Sequence, residues 1–515
     1  MLTRIFFSLN MALLALLLVG SAKTGTAQLY REKYRPQFHF SAAKGWVGDP
    51  DGLIHTDGKY HLFWWGHAVS DDLVYWKELP YPMKGGDGTF SYFSGSVVVD
   101  HQNTAGFGEK AMIAFYTQHQ PGDSLPEKQS ISISTDRINF NYYKDNPVLD
   151  VRKVFFRDPQ VFWHESSKKW IMAVAVPDQH RVEFYASRDL KTWIYLSEFG
   201  GLGPATSFWE CPDLFEMDID GEPGKKKWVL LIGHGPNRVQ YFLGDFDGKT
   251  FQADAETIRY LTDSNQVSNG PRKQGLQHAL WLDYGTDFYA TRSFRFPENP
   301  EHEPVFMGWM GNWDYARHAP STWGKGFQSV PRSIRLKRFA EGIRLVQEPV
   351  PALQKLRKKP VQVGAKTINL TQRLAEFKPA QNTYELEAVF DATTTSAFGF
   401  NLLVGEGREL KLRYDPVTST LGIDRTNCTD FTSNNTFTKA FASRMYAPVE
   451  KENGQIRLHV LVDESSIEVF TNQGKVVMSA VTYPSPAQTG IELFSENGST
   501  RLLSLTAWEL KSIWN

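Results

Sequence analysis

Three acidic residues stand apart by their settings: Asp49 in Gly48-Asp49-Pro50, Asp158 in Arg157-Asp158-Pro159, and Glu210 in Trp209-Glu210-Cys211-Pro212. Each leads into a short apolar run, a polar turn and a second, aromatic-rich run. Carboxyl groups brought together can divide labour, one ionised as nucleophile or base and another protonated as acid. Cleavage of a glycosidic bond with retention needs such a pair about 5–5.5 Å apart. The settings here suit different roles. Glu210 has apolar neighbours in the chain, which raise a carboxyl pKa. Pro50 restricts the backbone at Asp49 and can aim one carboxylate oxygen. Arg157, adjacent to Asp158, is expected to hold that carboxylate ionised for binding and charge stabilisation. Acidic residues at strand starts also serve as plain turn formers, so the grouping requires a scaffold on which the three starts converge.

A repeat supplies one. A Ser-x-Asp phrase ending in an aromatic recurs at Ser70–Asp72–Trp76, Ser134–Asp136–Phe140 and Ser187–Asp189–Trp193, with a weaker copy at Asp245 to Phe251. The spacing, roughly 53 to 64 residues, is close to one four-stranded propeller blade. The runs after Asp49, Asp158 and Glu210 carry hairpin signals. A further unit starts near Asp283-Tyr284-Gly285 and another fits between Ser94 and Thr117, which makes five blades. In a propeller the innermost strands begin at one end of a shared axis, where the three carboxyls would face one funnel.

The rest of the chain bounds this reading. A length of 515 residues calls for more than one domain. After about Phe339 the texture changes, through Pro349-Val350-Pro351 and a basic, helical-looking Ala352 to Lys358, into alternating runs such as Arg457 to Val462 and Ser466 to Thr471. These suggest a β-sandwich. The expected layout is a signal peptide over 1–27, an all-β five-bladed propeller catalytic domain over 28–340, a linker over 341–358 and a β-sandwich over 359–515. Arg4, the apolar run Met11 to Val19 and small residues before Gln28 mark the signal peptide, so the chain is expected to be exported, to a periplasm or the exterior. A net charge of -1 gives no support to nucleic acid or an anionic membrane as partner, and no later segment could span a bilayer. Aromatics make up 14% of residues, enough for a large β core and for stacking on sugar faces. Cys211 and Cys428 cannot build a disulfide framework, and no CxxC or His cluster suggests a metal.

Taken in order, the motifs resemble those of glycoside hydrolase family 32, the levanases, inulinases and invertases. The matching blocks are Arg35 to Phe40 with Trp46 to Gly52, Trp65 to Ser70, Phe93 to Ser96, Arg157-Asp158-Pro159, Glu210 to Asp213, Asp283 through Tyr289, Gly308 through Trp313, and Val462-Asp463 through Val469-Phe470. The resemblance covers nearly the whole chain after residue 27. It implies a five-bladed propeller with a C-terminal β-sandwich and a retaining double displacement on a fructofuranoside. Asp49 would be the nucleophile, Glu210 the acid/base and Asp158 the transition-state stabiliser. Trp46, Trp65, Ser94 and Arg157 would line the fructose pocket. The substrate would be a fructan or fructo-oligosaccharide, with sucrose a further candidate, and no cofactor or metal is required.

Three departures from the family pattern bear on detail. Gly48 and Asp51 stand where asparagines usually flank Asp-Pro, and a loop carrying a substrate-contacting Gln is missing between Phe63-Trp64 and Trp65-Gly66-His67. These leave two alternatives: a fructosyltransferase, including one that closes a difructose anhydride, and a catalytically weak fructan-binding protein. Other residues receive structural readings. His67 shapes a turn, Cys211 is a small buried group beside the acid, Lys225 to Lys227 is a solvated turn, and Trp309, Trp313 and Trp323 divide between funnel rim and core.

Overall fold

Alternating apolar residues between polar turns fold into five successive sheets, each built on a four-stranded antiparallel meander in sequence order. The computed structural model describes residues 29–84, 88–122, 124–262, 278–299, 302–429 and 435–514; the expected signal peptide, 1–27, lies outside them. The first sheet holds Gly52–Thr56, Lys59–Phe63, His67–Ser70 and Trp76–Leu79. The second holds Ser91–Asp100, Ala111–His119, Lys128–Ser134 and Phe140–Tyr142, with Met83–Lys84 added at its outer edge. The third runs Arg157–His164, Lys169–Val176, Arg181–Ser187 and Ile194–Gly200, and the fourth Trp209–Asp218, Lys226–His234, Arg238–Phe246 and Phe251–Ala253. The fifth is Tyr289–Ser293, Val305–Trp309, Arg332–Phe339 and Gly342–Pro349.

The first strand of each sheet packs against the first strands of its two neighbours, so five strands ring one axis. Backbone bonds between the first and fifth sheets, His55 N to Arg295 O at 2.8 Å and Arg295 N to Leu53 O at 2.9 Å, close the ring. The molecule is therefore a five-bladed propeller.

The recurring Ser-x-Asp phrase is the turn between third and fourth strands. In each copy one aspartate Oδ1 accepts two backbone N–H groups just ahead of it: Val74 and Tyr75 on Asp72, Ile138 and Asn139 on Asp136, Lys191 and Thr192 on Asp189. The weaker copy, Asp245 to Phe251, turns on Asp247 in the same way, through Lys249 and Thr250. The residue after the aspartate is left-handed in all four, at Leu73, Arg137, Leu190 and Gly248. Three of these are not glycine, so the double acceptor must offset a cost of about 1–2 kcal/mol.

Beyond the propeller, two antiparallel sheets of seven and six strands face each other as a β-sandwich. A short 3-10 helix, Pro351–Leu356, stands where a basic helix was expected, and the strand Gly342–Pro349 falls within the stretch expected as linker. One buried apolar cluster runs from the fourth and fifth blades, through Tyr241, Phe288 and Ile334, into Leu386, Val460 and Met478 of the sandwich. The two lobes thus share a core.

Buried charges stitch this seam. His39 contacts Asp463 at 2.8 Å and Glu468 at 2.7 Å, and Arg332 bonds to Glu468, to Asp283 at 3.2 Å and to Gln347 at 2.7 Å. Asp283 was expected to begin the last blade. The strand instead begins at Tyr289, and Asp283 binds Ser479 of the sandwich. A side chain on Gly285 would collide with the Ser479 backbone, its Cβ falling 1.8 Å from the carbonyl oxygen. Burial raises the Glu468 carboxyl pKa, but Arg332 and His39 outweigh it and bring it down to about 2. Removing a fully buried guanidinium strands these carboxylates. Arg332→Ala should therefore lose about 3–5 kcal/mol of unfolding free energy, measured by chemical denaturation, and a loss under about 1 kcal/mol would show that the network does not hold the seam.

Candidate active site

At one end of the axis the inner strands lose their regular pairing together. Register shifts fall between Phe93 and Gly95, Arg157 and Gln160, Glu210 and Asp213, and Tyr289 and Arg292, in blades two to five. Asp158, Cys211 and Ala290 have positive φ there, at 63°, 50° and 51°. Bulges re-aim side chains; here they turn Ser94, Asp158, Glu210 and Tyr289 toward the axis. The first blade contributes Asp49-Pro50-Asp51 just before its inner strand, anchored by Asp51 N to Phe63 O at 2.8 Å.

The carboxyls share one cavity of about 520 Å³. Asp49, Asp158, Glu210, Trp46, Trp65, Ser94 and Arg157, all seven residues singled out from the sequence, line it. Asp49 Oδ2 accepts the Ser94 hydroxyl at 2.7 Å, while Oδ1 is buried with no hydrogen-bond partner among the described residues. Glu210 is held from two sides, Oε2 by the Tyr289 hydroxyl at 2.6 Å and Oε1 by Arg157 Nη1 at 3.2 Å. Asp158 Oδ2 accepts the Cys211 backbone N–H at 2.9 Å. The Cys211 thiol lies 3.5 Å from Asp49 and 3.4 Å from Asp158, so it bridges two carboxyls as well as filling space.

Arg157 does not pair with Asp158 as the sequence suggested. Its guanidinium reaches Glu127 and Glu210 instead. Its charge still acts on Asp158, as does that of Arg292, 3% exposed, which donates to the Pro212 and Asp158 carbonyls. Burial dominates the titration of the cluster. It pushes Glu210 up to about 7, with Asp158 raising it further against Arg157 and Tyr289. Asp49 is pushed up to about 6, burial and Asp158 acting against Ser94 and Cys211. Asp158 is raised by burial despite Arg157 and Arg292, and Asp51, 4% exposed, rises well above the carboxylate range through burial and its neighbour Asp49. A site whose carboxyls resist ionisation keeps a proton available for an acid near neutrality.

The walls are aromatic. Trp65 is fixed by its indole N–H on Phe93 O at 2.9 Å. Where a loop was noted as missing, the turn between Lys59–Phe63 and His67–Ser70 has only three residues, and Trp64 in it lines the cavity. Of the three grouped tryptophans, Trp313 lines the cavity, while Trp309 and Trp323 are buried. His67 is fully buried beside His61 and Phe63, outside the cavity lining; burial, then His61, bring its pKa down to about 3. Sequence reasoning missed the site roles of Tyr289 and Arg292; Tyr289 had been noted only as the end of a motif block.

The profile described as "Glycosyl hydrolases family 32 N-terminal domain" matches residues 39–349, and that described as "Glycosyl hydrolases family 32 C terminal" matches 352–509. A levanase of Bacillus subtilis (strain 168) is 38% identical over 532 residues, spanning 97% of this chain and 74% of the levanase. An extracellular exo-inulinase of Aspergillus niger is 31% identical over 536 residues, 94% of this chain and 96% of the inulinase. The crystal structure of an exo-inulinase from Aspergillus awamori superposes with a TM-score of 0.83 at 30% identity, covering 94% of this chain and all of that one.

Gly48 has a local consequence. A Cβ there would approach Trp46 Nε1 to 2.7 Å, so the bare backbone leaves the indole room to stack on Trp313, with centroids 5.6 Å apart and planes 17° apart. Gly48→Asn should drive the rings apart. The expected result is altered tryptophan fluorescence and a KM raised about 2- to 10-fold, the worth of one aromatic pair, with kcat less affected. Unchanged fluorescence and KM would show that glycine is not needed there.

Proposed function

The chain belongs to glycoside hydrolase family 32, and from that membership and the site's geometry we propose that it hydrolyses β-fructofuranosyl linkages in fructans of the levan or inulin type by a retaining double displacement. Asp49 attacks the anomeric carbon of a fructosyl unit bound in the cavity. Glu210 gives its proton to the leaving oxygen, so the departing sugar leaves as an alcohol. Asp158 accepts hydrogen bonds from ring hydroxyls and steadies the positive charge that develops on the ring. Water then enters, Glu210 takes its proton, and the fructosyl–Asp49 ester breaks to free fructose or a shortened oligosaccharide.

The observation that carries this reading is the contrast between two raised carboxyls in one cavity. Burial and Asp158 raise Glu210 to about 7 although Arg157 and Tyr289, which hold it, pull the other way, while Asp49 is raised to about 6 by burial against the Ser94 hydrogen bond. The ionised nucleophile and the protonated acid therefore coexist over a narrow range. The relatives named levanase and extracellular exo-inulinase support fructan as substrate and export as destination. No helix among the described residues is long and apolar enough to cross a membrane.

Incubation with levan, inulin and sucrose, with products sized over time, tests the substrate assignment. Hydrolysis yields fructose or short oligosaccharides, whereas difructose anhydrides or longer products would favour transfer. Asp49→Ala and Glu210→Gln should each cut kcat by about a thousandfold or more with the melting temperature preserved. In the parent, kcat/KM should be bell-shaped, rising with Asp49 ionisation near pH 6 and falling with Glu210 ionisation near pH 7. Near-parental activity in either variant removes that residue from its role.

A further inference from the structure

The charge on Arg157 bears directly on Glu210, and the structure shows what holds that charge. Glu127, 1% exposed and absent from the cavity lining, spends both carboxylate oxygens on this region. Oε2 accepts Arg157 Nε at 2.9 Å and the Phe156 backbone N–H at 2.9 Å. Oε1 accepts Arg157 Nη2 at 2.7 Å and lies 3.0 Å from His119 Nδ1. Two guanidinium nitrogens are thereby fixed in a fork, which leaves Nη1 to meet Glu210 at 3.2 Å.

Aromatic rings complete the mount. The guanidinium carbon lies 5.3 Å from the Phe155 ring centroid and 5.7 Å from that of Phe93. His119 stacks on Phe93, centroids 4.0 Å apart and planes 7° apart, so the histidine that touches Glu127 also backs the ring beneath Arg157. The mount fixes both the direction and the net charge of the guanidinium that reaches Glu210.

We infer that Glu127 is a positioning residue for the acid/base: acting through Arg157, it aims one guanidinium nitrogen at Glu210 and offsets enough of the positive charge for Glu210 to keep its proton. The inference rests on Glu210 being the acid/base. Glu210 faces Arg157, Tyr289, Asp158, Asp49 and the Cys211 thiol, while Glu127 faces His119, Arg157 and Asp158. Of the cations near the cluster, Arg157, Arg292 and the cavity-lining Arg317, Arg157 is the one that bonds to Glu210 among the described residues. Withdrawing the Glu127 charge therefore leaves Arg157 uncompensated against Glu210 and favours its carboxylate. The acid then loses its proton at lower pH.

Two substitutions separate charge from geometry. Glu127→Gln keeps the length and most acceptors but removes the charge, and should move the alkaline limb of kcat/KM down by about one pH unit. Glu127→Asp keeps the charge but shortens the reach, and should lower kcat about tenfold with the alkaline limb within about 0.3 unit of the parent. A merely structural residue would lower the amount of folded enzyme without moving the limb. A Glu127→Gln profile that superimposes on the parent overturns the inference, as does a parental kcat in Glu127→Asp. Glu210→Gln, measured alongside, keeps the two claims distinct: near-parental activity there would overturn the acid assignment itself, whatever Glu127 does.

Discussion

Negative charge crowded out of water is the constraint on which the site depends. Asp49, Asp51, Asp158 and Glu210 border one cavity, with Glu127 just behind; the cations acting on them most strongly are Arg157 and Arg292, while Arg317 lines the cavity wall over Trp313. Arg157 is shared with Glu127, and Arg292 donates to two backbone carbonyls. Full ionisation would leave several carboxylates uncompensated in a medium of low dielectric, so the cluster retains protons near neutrality. The proton that the proposed mechanism asks of Glu210 follows from that crowding.

The seam between propeller and sandwich makes the comparison within the same molecule. His39, Arg332, Asp283, Asp463 and Glu468 are as deeply buried as the cavity carboxyls, yet there each acid meets a guanidinium, an imidazole or backbone N–H donors. Glu468 is accordingly driven down, and His39 is driven up to about 9 because its two carboxylate partners outweigh burial. Glu468 is thus low where Glu210 is high, although Asp283 in the same seam is still raised by burial despite Arg332 and its Ser479 and Gly285 donors. The balanced network ties the N-terminal segment and fifth blade to the sandwich. The unbalanced one lines the open cavity.

The propeller makes the crowding structurally tolerable. Asp49 and Asp51 come from the first blade, Asp158 from the third and Glu210 from the fourth, so no single strand carries all the repulsion, and bulges in blades two to five turn side chains inward. Left-handed conformations at Asp158, Cys211 and Ala290 mark local strain that the ring of neighbouring strands sustains.

Much of this was legible in the chain. The Ser-x-Asp repeat located the blades because a turn with two donors on one aspartate needs that residue at that spacing, and three strand-start acids marked the inner strands. Its weak copy, Asp245 to Phe251, keeps the same spacing, with Asp245 in the place of the serine and Asp247 as the turn's acceptor. The pairing of Arg157 was misread because adjacency along a strand says nothing about which way a long side chain turns, and the partner that fixes it, Glu127, lies 30 residues earlier on another blade. Blocks such as Asp283-Tyr284-Gly285 and Val462-Asp463 were visible as motifs, but their work at the seam depends on contacts across more than a hundred residues. Cys211 read as filler because a thiol between two carboxyls has no sequence signature.

The central claim is that Asp49 becomes covalently fructosylated while Glu210 manages the proton. The most direct measurement uses Glu210→Gln with a fructosyl donor whose leaving group needs no acid, such as a fructosyl fluoride, followed by acid quenching and mass analysis of peptides. This account predicts one added fructosyl group on the peptide containing Asp49, lost on standing in water. An adduct on any other residue, or rapid turnover with none on Asp49, would contradict it.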